Sequence, residues 1–170
     1  MRKTIFSIFV LVFLSFVLRG QDLSFQTLDK SVISLQSHRD KVVVLAVGAS
    51  WLPLSKQQVS ITNRLAKQYV GRKDILIYFV FTDSNNPKSK NFASDEQLMK
   101  FAQENKISVG LLRDPDALVS TKKLKVEQLP SFVVIGKNGV LADTLSSLDL
   151  EAANLDNLIG QISSTIEKLL

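Results

Sequence analysis

Side chains that could support catalysis are few, and most lie in one short segment. Ser50, Ser55 and Lys56 follow an apolar run and supply two hydroxyl groups and one amine. A serine nucleophile needs a base within hydrogen-bond reach to take its proton. The only histidine is His38, and nothing in the sequence places it beside Ser55. We therefore interpret Ser55 as a polar residue at a helix N-terminus and His38 as a surface loop residue.

The chain contains no cysteine at all. The thiolate is the form of cysteine that attacks substrates and binds metals. Its absence excludes thiol chemistry, thiolate metal sites and disulfide bonds. A lone histidine is also weak evidence for a metal site. We expect no metal ligand and no cofactor.

Apolar runs rich in β-branched residues alternate with amphipathic segments. Runs that are almost wholly apolar predict strands buried on both faces, at 41–47, 75–82 and 131–135. Shorter segments at 22–26 and 32–35 predict edge strands. Four helices are predicted. The first has Pro53 in its first turn, and the second follows Ser94, which forms a capping box with Gln97. The other two lie over 117–124 and 155–169. The stretch 83–93 is predicted to be a solvated loop, and Leu111-Leu112 is a brief apolar stretch.

The end of the third apolar run predicts a hairpin. Asn138-Gly139 separates it from the returning segment 140–145, and Asn-Gly accepts the positive φ that hairpin turns need. Buried strands that alternate with helices and end in an antiparallel hairpin predict a single α/β domain. We expect a three-layer α/β/α sandwich with a mixed central sheet.

Two motifs resemble the thioredoxin-like superfamily, in its branch of exported thiol–disulfide oxidoreductases and alkyl hydroperoxide reductase/thiol-specific antioxidant proteins. Relatives end a buried strand in a motif close to Trp-Cys-Pro-Pro-Cys, and the matching segment here is Trp51-Leu52-Pro53-Leu54-Ser55. Leu52 and Ser55 stand where the two cysteines would be. Relatives also place a cis-proline before the hairpin, which the resemblance assigns to Leu129-Pro130. The resemblance covers about residues 22–170 and implies a thioredoxin-like fold.

The departure from the motif decides the expected function. Thiol–disulfide exchange and peroxide reduction both require a thiolate, so neither activity is expected, and no catalytic residue is assigned. The resemblance instead implies a site that binds an extended peptide or protein segment. Its residues would be Trp51, Leu52, Pro53, Leu129 and Pro130. The first three of these are expected to belong to an exposed apolar patch. The alternative is an enzyme of another type that uses Ser50, Ser55 and Lys56.

The N-terminus predicts export. Residues 1–4 form a basic head, 5–18 are apolar apart from two serines, and 19–21 return to polar chain. This is the pattern of a signal peptide, and the apolar run is short for a membrane span. We assign 1–20 to a signal peptide and 21–170 to the thioredoxin-like domain, secreted or periplasmic. An uncleaved anchor facing the exported side, which would make the protein a membrane-tethered assembly factor, is the alternative.

The charge balance excludes one class of partner. Three of the 21 basic residues lie in the first 20 residues, so 18 remain against 16 acidic residues, a net charge of +2. So small an excess does not indicate nucleic-acid binding, and Lys122, Lys123 and Lys125 are interpreted as a solvated face. A membrane partner is expected only if the N-terminal segment stays attached.

The first prediction is that protein recovered from the exported fraction begins near Gln21. Its intact mass should lack the first 20 residues, because the small residue Gly20 precedes a polar chain. A full-length mass in the membrane pellet would contradict the cleavage and favour the anchor.

Overall fold

The computed structural model describes residues 23–146 and 155–170, so the predicted signal peptide lies outside the described residues. The strands are β1 (Ser24–Thr27), β2 (Val32–Ser34), β3 (Val42–Gly48), β4 (Ile75–Phe81), β5 (Gly110–Arg113), β6 (Ser131–Ile135) and β7 (Leu141–Leu145). The helices are α1 (Ser55–Gln68), α2 (Asp95–Glu104), α3 (Leu118–Lys122) and α4 (Leu155–Leu169). Within the described ranges, no helix is long and apolar enough to cross a membrane.

The strands form one mixed sheet in the order β2-β1-β5-β4-β3-β6-β7. Strand β3 is parallel to β4 and antiparallel to β6, and all seven of its residues are buried. Its side chains alternate between two apolar cores, because successive residues of a strand point to opposite faces. Val42, Val44 and Ala46 pack with α1, α2 and α4, whereas Val43 and Leu45 pack towards α3. The predicted α/β/α sandwich is therefore confirmed, with three helices on one face.

Most predicted elements are present, and the exceptions have local causes. Helix α1 begins at Ser55, so Pro53 lies before the helix and not in its first turn. The stretch at Leu111-Leu112 is a strand, because β5 pairs with β4 on one side and with β1 on the other. The hairpin is confirmed, but only Gly139 has a positive φ, of 76°, and Asn138 does not.

The end of β5 fixes the long loop that follows β4. The guanidinium group of Arg113 donates to the carbonyl oxygens of Ser84 and Ala93, at 3.3 and 2.6 Å. It also forms an ion pair with Asp95, the first residue of α2. The capping box of Ser94 and Gln97 is present as predicted. Residues 85–92 are mostly exposed, so only the middle of the predicted solvated loop is solvated.

His38 is not a free surface residue, contrary to the sequence interpretation. It ends a 3₁₀ turn over Leu35–His38 and is half-buried. Its Nε2 atom lies 3.1 Å from the Tyr78 hydroxyl, and the two rings are stacked. Burial lowers the pKa of His38, and the charge of Lys41 lowers it further. The fold therefore favours the neutral imidazole.

The second prediction follows from this lowered pKa. An unfolded chain binds a proton at His38 near pH 6.5, whereas the folded chain binds it only at lower pH. The free energy of unfolding should therefore fall as the pH is lowered from about 7 to about 5. In urea titrations across this range, His38→Gln should flatten the slope. Equal slopes in the variant and the wild type would contradict the prediction.

Candidate functional site

The segment between β3 and α1 forms a compact turn at the C-terminal end of β3. The Leu52 amide donates to the Ala49 carbonyl at 3.2 Å, and the Ser55 amide donates to the Leu52 carbonyl at 3.1 Å. Trp51 is 51% exposed, Pro53 is exposed, and Leu52 and Leu54 are half-buried. The apolar residues of the degenerate motif thus present a partly exposed surface.

The two serines of this segment are occupied by structural hydrogen bonds, whereas Lys56 is exposed. Ser55 is 1% exposed, and its hydroxyl donates to the Ala49 carbonyl oxygen. His38 contacts Tyr78, which packs with the core on the α3 side, whereas α1 packs on the other face of the sheet. Ser55 and His38 therefore cannot act as nucleophile and base.

Asp83 joins this segment to the neighbouring strand. Its carboxylate is buried and accepts three hydrogen bonds from Ser50. The Ser50 amide donates to both carboxylate oxygens, at 3.0 and 3.2 Å, and the hydroxyl donates at 2.5 Å. The Ser50 hydroxyl is thus bound to an acceptor that fixes the loop. The sequence interpretation missed Asp83, although an acidic residue directly after a buried strand beside β3 was the available signal.

The candidate site has two walls. The first is the turn that holds Trp51, and the second is the loop that enters β6. The Leu129–Pro130 peptide bond is cis, as the resemblance implied. Pro130 is buried and Leu129 is half-buried. Among the described residues, neither the amide nor the carbonyl of Leu129 has a hydrogen-bond partner. The Ser131 hydroxyl donates to the Gln128 carbonyl at 2.5 Å, which holds the loop in this shape.

A polar groove of about 340 Å³ lies on the β7 side of the same loop. Its lining residues are Lys125, Glu127, Gln128, Ser131, Thr144 and Ser146. Strand β6 separates this groove from the turn that follows β3, because β6 lies between β3 and β7 in the sheet. The backbone of Leu129 therefore has an apolar surface on one side and a polar groove on the other.

One buried side chain connects the two walls and was missed in the sequence. Gln58 on α1 donates from Nε2 to the carbonyl oxygens of Val47 and Ser131, at 3.0 and 2.9 Å. The signal that could have found it is a polar residue on the buried stripe of α1, one turn before Thr62 and two turns before Leu65. No group of acidic or histidine residues in the described ranges could hold a metal ion.

The sequence pattern of one protein family matches most of the chain. The AhpC/TSA family matches over residues 19–144, which include both walls of the site. The chain belongs to this family. The match confirms the resemblance drawn from Trp51, Pro53 and Pro130, and the chain has no cysteine with which to perform the family's thiol chemistry. No curated protein matches the sequence.

Solved structures show the same fold. A thioredoxin-like protein of Aeropyrum pernix is 23% identical, with a TM-score of 0.64 over 84% of this chain and 89% of its own. A thiol-disulfide oxidoreductase of Bacteroides fragilis is 15% identical, with a TM-score of 0.67 over 85% and 97%. A secreted disulfide oxidoreductase of Mycobacterium tuberculosis is 16% identical, with a TM-score of 0.63 over 84% and 96%. At such identities these likenesses establish the fold alone.

The third prediction tests whether the turn keeps the geometry of a dithiol site. The hydrogen bond from Ser55 to Leu52 closes a four-residue turn, whose ends lie within about 7 Å. A disulfide needs Cα atoms about 4.4–6.8 Å apart. The double variant Leu52→Cys with Ser55→Cys should form an internal disulfide that blocks alkylation until it is reduced. The thiol introduced at position 52 should titrate below about 8.5, because helix N-termini stabilise thiolates.

The two single variants serve as the control for this experiment. Each has one thiol and should remain open to alkylation under denaturing conditions without a reductant. Full alkylation of both thiols in the folded double variant, after mild oxidation, would contradict the predicted geometry of the turn.

Proposed function

We propose that this chain is an exported, redox-inactive member of the AhpC/TSA family that holds an extended peptide segment of a partner protein. The observation that carries the proposal is the combination of the exposed Trp51 with the backbone of Leu129, whose amide and carbonyl have no hydrogen-bond partner among the described residues. The first offers apolar contact area, and the second offers a donor and an acceptor.

Loss of the thiols supports a binding role over catalysis. Exchange of disulfides begins with the attack of a thiolate on sulfur. Leu52 has no ionisable group, and Ser55 is buried with its hydroxyl bound to a carbonyl oxygen. The turn at the start of α1 is nevertheless formed and partly exposed. A surface that has lost its reactive atoms and kept its shape can still bind a chain.

Backbone pairing supports an extended ligand. Backbone amide and carbonyl groups require hydrogen-bond partners wherever they are removed from water. At the half-buried Leu129, both groups lack a partner within the described residues. A peptide in β conformation presents a donor and an acceptor at matching spacing, as in other cases of strand addition.

The surroundings of Leu129 indicate the composition of the peptide. An aromatic ring that is half exposed gives a large contact area at little entropic cost, and such rings dominate interface energetics. We expect an apolar side chain of the peptide to contact Trp51. On the β7 side the groove has one lysine, one glutamate and four uncharged polar residues, which suits a polar, uncharged stretch.

Export is supported by two observations. The first 20 residues have the composition of a signal peptide. A secreted disulfide oxidoreductase of Mycobacterium tuberculosis shares the fold. A chain without cysteine does not depend on the redox state of the compartment for its own stability.

The fourth prediction uses reduced, S-carboxymethylated α-lactalbumin, an unfolded chain without free thiols, as the probe. The fluorescein-labelled probe should bind the mature protein in an anisotropy titration, because an unfolded chain can adopt the extended conformation. Trp51→Ala should weaken binding at least about tenfold, the loss expected for an aromatic residue at the centre of an interface.

Val70→Ala is the matched control, because Val70 is 80% exposed and lies beyond the C-terminal end of α1. Its affinity should equal that of the wild type. Native α-lactalbumin has the same sequence in a folded state and should not bind. Equal binding by the two forms of the probe, or an unchanged affinity of Trp51→Ala, would refute the proposed site.

A further inference from the structure

The two walls of the proposed site diverge at one point, the last pair of the β3–β6 ladder. Val47 and Ser131 are the final register partners of these antiparallel strands. Beyond Val47 the chain continues into the turn that holds Trp51, and before Ser131 it comes from Leu129 and Pro130. Whatever holds this pair together also sets the spacing between the walls.

Gln58 occupies the position just beyond the last pair. It is fully buried, and its single amide nitrogen donates to the Val47 and Ser131 carbonyl oxygens, at 3.0 and 2.9 Å. A primary amide has two N–H donors, so both are used. One side chain from α1 is therefore hydrogen-bonded to the two strands where they separate.

The packing around Gln58 leaves little freedom for its amide group. A Cβ atom at Gly48 would lie 2.2 Å from Oε1 of Gln58, so only glycine allows this approach. Oε1 itself has no hydrogen-bond partner among the described residues. A buried acceptor without a partner is unfavourable, and its retention indicates that the two donated hydrogen bonds compensate for it.

We infer that Gln58 is the positioning residue of the proposed site, and that its amide sets the distance between the Trp51 turn and the Leu129 loop. This inference rests on the proposed peptide-binding function for its biological meaning, but not for its geometry. An apolar side chain of the same size would fill the volume and remove both hydrogen bonds that Gln58 donates to these carbonyl oxygens. The walls would then be held only by the paired strands β3 and β6 themselves.

Trp51 reports on this spacing, because it is the only tryptophan in the chain. Gln58→Met should make Trp51 more accessible to acrylamide. Since 51% of the residue is already exposed, quenching can rise by up to about twofold. Binding of S-carboxymethylated α-lactalbumin should weaken about tenfold, because a surface that must be ordered on binding loses affinity.

Thr62→Val is the matched control. Thr62 is buried one turn further along α1, and its hydroxyl donates at 2.7 Å to the backbone carbonyl of Gln58, within the helix. This variant also removes one buried hydrogen bond, but it leaves the link between the strands intact. It should lower stability without changing the quenching of Trp51. Equal quenching in Gln58→Met and Thr62→Val would overturn the inference.

Gln58→Glu adds a readout that a space-filling role would not give. A protonated carboxyl group keeps one donor, whereas a carboxylate has none and would face two carbonyl oxygens. Burial raises the pKa of such a group above its usual value near 4.3. Trp51 quenching should therefore increase with pH in this variant and stay constant in Gln58→Met. A flat profile for Gln58→Glu would contradict the inference.

A measurement on the wild type keeps the test independent of whether the variants fold. In nitrogen-15 NMR spectra, the side-chain amide protons of Gln58 should exchange with water far more slowly than those of the exposed Gln103. Fast exchange at Gln58 would overturn the inference. Failure of the wild type to bind the probe would refute the peptide-binding function alone, because the quenching and exchange results do not depend on it.

Discussion

Burial of strand β3 on both faces is the constraint on which the rest of the molecule depends. Every residue from Val42 to Gly48 is covered, so the strand needs a helix-bearing core on each side and a paired strand along each edge. Fully burying one valine or leucine side chain contributes about 1.5–3 kcal/mol relative to leaving it exposed. Because β3 is held so firmly, the point where it ends is well defined, and the site residues occupy that edge.

The site at this edge combines features that a thiol enzyme would use with residues that cannot perform its reaction. Asp83 and Ser50 fix one wall, and the buried amide of Gln58 spans to the other. These contacts involve no atom of Leu52 or Ser55. These hydrogen bonds therefore hold the turn and the loop in place without any contribution from sulfur.

Much of the fold could be predicted from the sequence, because its signals are local. The apolar runs predicted β3, β4 and β6, and the pair Ser94 and Gln97 predicted the start of α2. Strand β5 was missed because four residues ending in a charged side chain show little pattern, and its pairing with β1 and β4 is non-local. The environment of His38 was missed for the same reason, since its contact with Tyr78 spans 40 residues.

Within the site, motif positions could be predicted, and the contacts that support them could not. Trp51 and Pro130 carried a family pattern. Asp83 and Gln58 stood out only as polar residues beside buried segments, and their hydrogen-bond partners lie far away in the sequence. The hydrogen bonds that the buried Arg113 donates to the loop after β4 have a different consequence. Arg113 binds the carbonyl oxygens at both ends of the loop, so the positions of Ser84 and Ala93 do not depend on the side chains of the exposed residues between them. That stretch is free to diverge, or to accept an inserted epitope, while the scaffold beneath it stays the same.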